Sequence, residues 1–251
     1  MPFSRFREKR QSDPELRLAF GAASDDGQNN SNAGALIPTD ARLVCLPVRS
    51  FQGTFAWCSS ALGLRMLRRD LELAGLTDER LPPAPEAPPE GEIYHADGTL
   101  LKEGNKVFLE DLDFNARQNT AAQKWAEHIA QGVFPGEANQ DWRTEFQKRF
   151  AVLPDTVFDF LTETGTEVVA RVKIDDDTKT VATGQLWNEE SLPAETILAG
   201  FVTCDRVYAQ NANGVNEQTL IKKFATDPLT LQIGGKATVG RGRIRCVFTP
   251  A

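Results

Sequence analysis

Hydrophobic and polar positions change period several times along this chain, and the changes divide it into predicted elements. From Phe3 to Phe20 apolar and charged residues mix with helical composition, interrupted near Ser12-Asp13-Pro14. There Asp13 or Ser12 can cap a second helix, with Pro14 in its first turn. The asparagine-rich run 25–33 has nothing to bury and predicts a loop. Ala41 to Leu46 reads as an apolar strand, after which the chain turns through Gly53. Residues 56–74 then place Trp57, Leu62, Met66, Leu67 and Leu71 at helical spacing, with Gly75 as terminator. Five prolines in 81–91 exclude regular helix and central strand, leaving a stiff spacer or surface loop.

Beyond that loop, 106–114 is a strand candidate and 120–130 a short helix with Trp125 and Ile129 facing inward. A second helix follows over 141–150, and Pro154-Asp155 opens a third. From Thr166 a good strand (TEVVARVKI), an acidic turn (DDDTKT) and a returning strand (VATGQLW) predict a long β-hairpin ending at Trp187. A protruding hairpin ending near an aromatic can wedge or stack a base, and the same Trp187 can equally pack the hairpin onto its own domain. Three consecutive carboxylates, Asp175 to Asp177, read as a solvated turn rather than a metal site.

The stretch Leu231 to Phe248 packs Gly234, Gly235, Gly240 and Gly242 into nine residues and closes on an alternating strand. Ile244, Cys246 and Phe248 share one face of that strand, and Arg243 and Arg245 share the other. A side-chain-poor loop flanked by Lys236, Arg241, Arg243 and Arg245 suits phosphates, because its amides can face an anion and cations surround it. The alternative is a glycine-rich hairpin whose arginines solvate an exposed face. It is not a Walker A loop, since Gly240 is followed by Arg241 rather than Lys and Ser or Thr, and no helix follows as a dinucleotide fingerprint requires.

Composition narrows the function class. The 251 residues can bury a substantial core, and with 41% hydrophobic and 25% charged residues the chain reads as an ordinary globular protein. No apolar run approaches the roughly 20 residues that span a bilayer, and the basic start lacks an apolar core behind it, so the expected compartment is the cytoplasm. Four cysteines without a CxxC pair read as reduced core residues, and with only His95 and His128 a histidine-rich metal centre is out of reach. The net charge of −7 argues against a nucleic-acid binder until its distribution is considered. Positive charge is clustered at Arg5, Arg7, Lys9 and Arg10, at Arg65, Arg68 and Arg69, and in the C-terminal loop, and screening makes such local clusters decisive.

Four segments, LPVRSFQGTFAW (46–57), RRDLELAG (68–75), TEVVARVKIDDDTKTVATGQLWNEESLP (166–193) and LQIGGKATVGRG (231–242), resemble the Cmr-type backbone RAMP subunit of type III-B CRISPR effector complexes. The resemblance spans nearly the whole chain. It implies an α+β, modified ferredoxin-like, RRM-related fold as a single RAMP domain over 1–251, with proline-rich loop 81–91, a helical insertion at about 115–165 and a thumb hairpin at about 170–190. It further implies a subunit in antiviral defence that stacks in several copies along a guide RNA beside a complementary target RNA and other effector subunits, with no membrane. The implied RNA-binding set is Arg49, Gln52, Trp187, Gly234, Gly235, Lys236, Thr238, Gly240, Arg241 and Arg243. The pattern departs at Gln52, where family members usually carry lysine. It also departs at the start, because the family's first strand and the loop with its cleavage aspartate fall before Met1, so Asp25 and Asp26 are not expected in that role. Metal-dependent cleavage of target RNA is the implied alternative activity. It would need Mg or Mn, and no catalytic residue is assigned here. A small-molecule enzyme using the glycine loop fails for lack of a paired base and nucleophile.

Overall fold

The structure, a computed structural model, describes residues 13, 15–22, 31–175, 177–208, 212 and 214–249. The basic run Arg5 to Arg10, most of the predicted first helix, Asp25, Asp26 and Asp176 lie outside the described residues. In chain order the elements begin with α1 (Leu16–Phe20), β1 (Leu36–Pro38), β2 (Arg42–Arg49), β3 (Phe55–Ser60) and α2 (Ala61–Leu73). They continue with β4 (Glu92–His95), β5 (Lys102–Glu103), β6 (Lys106–Leu109), β7 (Leu112–Gln118), α3 (Thr120–Val133), α4 (Gln140–Arg149), β8 (Phe150–Leu153) and α5 (Asp155–Thr164). The last are β9 (Glu167–Ile174), β10 (Val181–Ser191), β11 (Ile197–Ala199), β12 (Val202–Cys204), α6 (Glu217–Phe224), β13 (Leu229–Gln232) and β14 (Arg243–Cys246). The fold is α+β, and it divides into two compact units, one of residues 42–199 and one of 1–41 with 200–251.

The larger unit is built on one mixed sheet of eight strands in the order β11-β2-β3-β8-β4-β7-β6-β5. Its pairs β3–β8 and β4–β7 are parallel, the others antiparallel. The sheet rolls, because the end of β2 meets the end of β6 although four strands separate them: Ser50 bridges Leu109, Phe51 N donates to Phe108 O (3.1 Å) and Glu110 N donates to Arg49 O (2.9 Å). Alternation then sorts each strand onto two cores. Trp57, Tyr94, Phe150 and Val152 pack with Trp125, Ile129 and Phe146 of the helices on one face. Cys58, Ile93, Ala151 and Leu153 pack with Leu46, Val107, Leu109 and Phe114 on the other.

Three sequence expectations give way here. Trp57 lies on strand β3, and the helix begins only at Ala61, capped by Ser60, whose Oγ accepts from Gly63 N at 3.0 Å. Its buried positions are Ala61 and Leu64, while Leu62 is exposed. Gly75 does end it, with φ 99 and Leu76 N donating to Leu71 O (3.1 Å), a left-handed cap of the kind glycine favours. The region 115–165 is not all helical, because β8 runs through it as a fully buried central strand, and 106–114 is a two-strand hairpin turning at Glu110 rather than one strand.

The proline-rich segment is bound rather than loose. Pro82, Pro85 and Pro88 are buried at a spacing of three while the residues between are exposed, the period of a polyproline II helix lying on a surface. Three side chains hold its carbonyls: Trp125 Nε1 donates to Pro83 O (2.9 Å), Arg65 Nε to Pro85 O (3.0 Å) and Arg68 to Pro82 O.

In the smaller unit Leu16, Ala19, Leu36, Leu220, Phe224 and Leu231 form a separate core, against which Ile244 and Cys246 of β14 pack. All four cysteines are free, and burial pushes the Cys45 and Cys58 thiols well above their ordinary range. Among the described residues no helix is long and apolar enough to cross a membrane.

Candidate nucleic-acid interface

The glycine loop joins β13 to β14. Pairing sets Leu231 against Ile244 and Leu229 against Cys246 on the core side, which leaves Arg243 opposite Gln232 and Arg245 opposite Thr230 on the outer side. Gly234, Lys236, Gly240 and Gly242 take positive φ (75, 61, 82 and 70). The turn is partly self-bonded, with Val239 N and Arg241 N donating to Lys236 O and Gly240 N to Ala237 O. The amides of residues 239–241 are thereby committed to the turn itself.

The glycines divide into two kinds. A Cβ on Gly242 would lie 1.9 Å from Ile233 O and 2.6 Å from Gln232 Nε2, so the fold itself requires glycine there. Gly234, Gly235 and Gly240 have no atom within 4 Å of such a Cβ, and Gly235 lacks a positive φ as well. The fold makes no demand that explains glycine at 235. Around this open surface Lys236, Thr238 and Arg243 are exposed and Arg241 is half-buried.

The predicted hairpin is present as β9 and β10, a two-stranded sheet outside the eight-stranded one. Between the Val181–Ile174 and Leu186–Val172 pairs β10 carries a bulge of three extra residues, with Gly184 at φ 73. One face presents Val168 (61% exposed), Val172, Ile174, Val181 and Leu186 (67% exposed), an aliphatic strip that the described residues leave exposed. Trp187 lies on the other face, opposite Arg171 and 40% exposed. The aliphatic strip was not singled out from sequence, although the signal, apolar residues at every second position of β9, is present.

At the third predicted place the structure adds a partner that sequence reasoning missed. Arg49 makes a two-pronged contact with Glu110, Nε to Oε1 at 3.1 Å and a terminal nitrogen to Oε2 at 2.9 Å, which raises its pKa. Its side chain remains 85% exposed. Gln52 lies half-buried in the adjoining turn, beside exposed Phe51, and Arg149 Nε pins that turn by donating to Gly53 O (2.9 Å). The Arg65, Arg68 and Arg69 cluster is occupied: Arg65 and Arg68 hold the proline segment, Arg68 also meets Glu72 (3.0 Å) and Arg69 meets Asp70 (3.0 Å).

The acidic turn is structural. Asp175 Oδ1 accepts from Asp177 N (3.1 Å), Thr178 N (2.9 Å) and Thr178 Oγ1 (3.0 Å), and these bonds, those of Thr178 foremost, hold its carboxyl below the usual range. Among the described residues no three His, Cys, Asp or Glu side chains gather as a divalent ion needs, so none is assigned to Mg or Mn.

Comparison with known proteins agrees with this architecture. The RAMP superfamily model matches residues 5–245. The CRISPR system Cmr endoribonuclease Cmr4 of Pyrococcus furiosus is 30% identical over 231 residues, which is 92% of this chain and 74% of that protein. The crystal structure of oligomeric Cmr4 from the same organism superposes with TM-score 0.68 at 24% identity, covering 95% of this chain and 79% of that one. The cryo-EM structure of the type III-B Cmr-beta complex bound to cognate target RNA contains a chain matching with TM-score 0.62 at 17% identity, covering 96% and 77%. A rolled mixed sheet with a free-standing hairpin, a family match across nearly the whole length and a relative at 30% identity together settle the lineage: the chain belongs to the RAMP superfamily.

Proposed function

We propose that this protein is a guide-RNA-binding backbone subunit of a type III-B RNA-targeting effector complex, stacking in copies along the RNA in the cytoplasm beside other effector subunits. The observation that carries the reading is the open face at Gly235, where the chain keeps a side-chain-free surface that its own fold does not use, ringed by Lys236, Arg241 and Arg243. Such a surface admits another backbone, and the cations match a sugar-phosphate one. The hairpin supplies the second contact, with an aliphatic strip able to displace bases and Trp187 able to stack on one. Neither contact reads base identity, as a subunit repeated along one RNA requires. Arg49 and Gln52 belong to the same proposal, with Arg49 facing phosphate only in competition with Glu110.

The test is the salt dependence of guide-RNA binding by the whole chain. If Lys236, Arg241 and Arg243 each neutralise one phosphate, log affinity falls with log salt at a slope of about −2, so affinity drops about 20-fold between roughly 50 and 200 mM. Replacing Arg241 and Arg243 together by alanine should reduce the slope to about −0.7. An unchanged slope in that variant refutes the placement. The relative's name, an endoribonuclease, favours a second reading as well; metal-dependent cutting of target RNA by this chain would support it.

A further inference from the structure

The face of the hairpin that carries Trp187 holds three linked side chains. Cross-strand register places Trp187 directly against Arg171 and Glu189 against Val169, so Trp187, Glu189 and Arg171 all point to one side. Trp187 Nε1 donates to Glu189 Oε1 at 2.9 Å, and Arg171 Nε lies 3.4 Å from the other oxygen, Oε2. A single carboxylate therefore ties the indole N–H on one side and a guanidinium on the other. Tryptophan has two side-chain torsions, and fixing its N–H removes the ring flip that would otherwise turn its edge or face at random. Trp187 stays 40% exposed, whereas the Glu189 side chain is only 18% exposed. The anchor is shielded, and the ring it anchors is presented.

We propose that Glu189 is a positioning residue for RNA binding, holding Trp187 ready to stack on an unpaired base. This rests on the reading of the hairpin as an RNA contact. The chemistry gives the proposal a sign that distinguishes it from electrostatics. Glu189 is an anion beside a polyanion, and it masks Arg171; by charge alone, removing it should tighten RNA binding. If the carboxylate works by holding the indole, removing it should weaken binding in spite of that gain. Glutamine separates the two effects, because its amide oxygen still accepts the indole N–H while the charge is gone.

The experiment compares guide-RNA affinity of the full chain by fluorescence anisotropy for Trp187→Ala, Glu189→Ala, Glu189→Gln and the Trp187→Ala/Glu189→Ala double variant, with melting curves for each. Loss of a stacked base predicts a roughly 5- to 150-fold drop for Trp187→Ala. Loss of a pre-set rotamer predicts an approximately 2- to 12-fold drop for Glu189→Ala. Glu189→Gln should bind at least as tightly as the wild type, and in the double variant the loss of Glu189 should weaken binding no further than Trp187→Ala alone, since without the ring only its charge effect is left. If Trp187→Ala weakens binding while Glu189→Ala leaves it unchanged or tightens it, the positioning role is overturned and the hairpin contact stands. Should Trp187→Ala bind like the wild type, the hairpin contact fails first and the positioning role with it. If Glu189→Ala unfolds, the Gln variant still decides: a loss there, with melting unchanged, overturns the proposal.

Discussion

Glycine at 242 and glycine at 235 look alike in sequence, seven residues apart in one loop, yet they should respond to alanine in opposite ways. At Gly242, φ 70 costs an L-residue roughly 1–2 kcal/mol. The new Cβ would also sit 1.9 Å from Ile233 O, backbone that cannot swing aside as a side-chain tip can. Relief requires parting two hydrogen bonds, Ile233 N to Gly242 O (2.8 Å) and Gln232 Nε2 to Arg241 O (2.6 Å), each contributing about 0.5–1.5 kcal/mol. The expected destabilisation is about 2–5 kcal/mol, which for a chain of this size lowers the melting midpoint by roughly 4–20 °C. At Gly235 neither φ nor a neighbour opposes a methyl group, so alanine should be neutral or stabilise by about 0.4–1 kcal/mol through the unfolded chain. The same methyl stands on the open face, where it should keep an RNA backbone at a distance and lower affinity. Differential scanning calorimetry and RNA titration of the two variants separate the roles. A Gly242→Ala protein melting within a degree of the wild type would refute the close approach, and a Gly235→Ala protein binding RNA normally would refute the use of that face.

Thr54→Gly should stabilise the protein by about 0.5–1 kcal/mol, the strain of a β-branched residue at φ 74 less the entropy glycine adds to the unfolded chain, as read from a urea midpoint. Trp125→Phe keeps the buried ring but orphans Pro83 O, at a cost of about 1–3 kcal/mol, and amide exchange at Ala84 and Glu86 should speed up as the proline segment loosens. Burial lowers the pKa of both His95 and His128, His95 also keeping Nδ1 against Ala96 O at 2.8 Å. In both cases the unfolded chain takes up the proton first, so stability should be full above about pH 6.5 and fall as pH drops toward the folded values; the double Asn variant should flatten that decline in denaturation midpoints.

The parts of the fold legible in sequence were those whose partners are close in the chain. The β9–β10 hairpin announced itself through alternation on both sides of an acidic turn, and α3 through the Trp125–Ile129 stripe, because in each the buried face is set by local period. β3 reads as helix in sequence because Ala56 to Cys58 is apolar without alternation and the two serines after it, buried in the strand, look like part of a continuous run into α2. β8 escaped because four residues buried on both faces leave no alternation to read. The proline segment was correctly denied helix and central strand, but its burial every third residue depends on Trp125, Arg65 and Arg68, which no local pattern connects to it.

The candidate site shows the same limit in electrostatic form. Two long runs of this chain lack any carboxylate, 41–69 with five arginines and 228–251 with Lys236 and three arginines, and by sequence both are equally fit for a polyanion. Folding commits the cations of the first run. In the first run Arg42 meets Asp70, Arg49 meets Glu110, Arg68 meets Glu72 and Arg69 meets Asp70, while Arg65 is fixed on the carbonyl of Pro85. Glu72 lies one helical turn on from Arg68 and Asp70 is the next residue to Arg69, but Asp70 reaches Arg42 from another element, and Glu110 arrives because the sheet rolls, an event with no trace in the neighbourhood of Arg49. Local positive charge is thus a poor guide in a chain of net charge −7, since long-range folding can bring an acid to any arginine. What distinguishes the second run is backbone rather than charge: an open glycine surface lies among its cations, and a backbone that approaches it closely makes contacts no surface arginine could make alone. The strongest sign for the proposed RNA site is therefore Gly235, a residue whose missing side chain the described fold does not use.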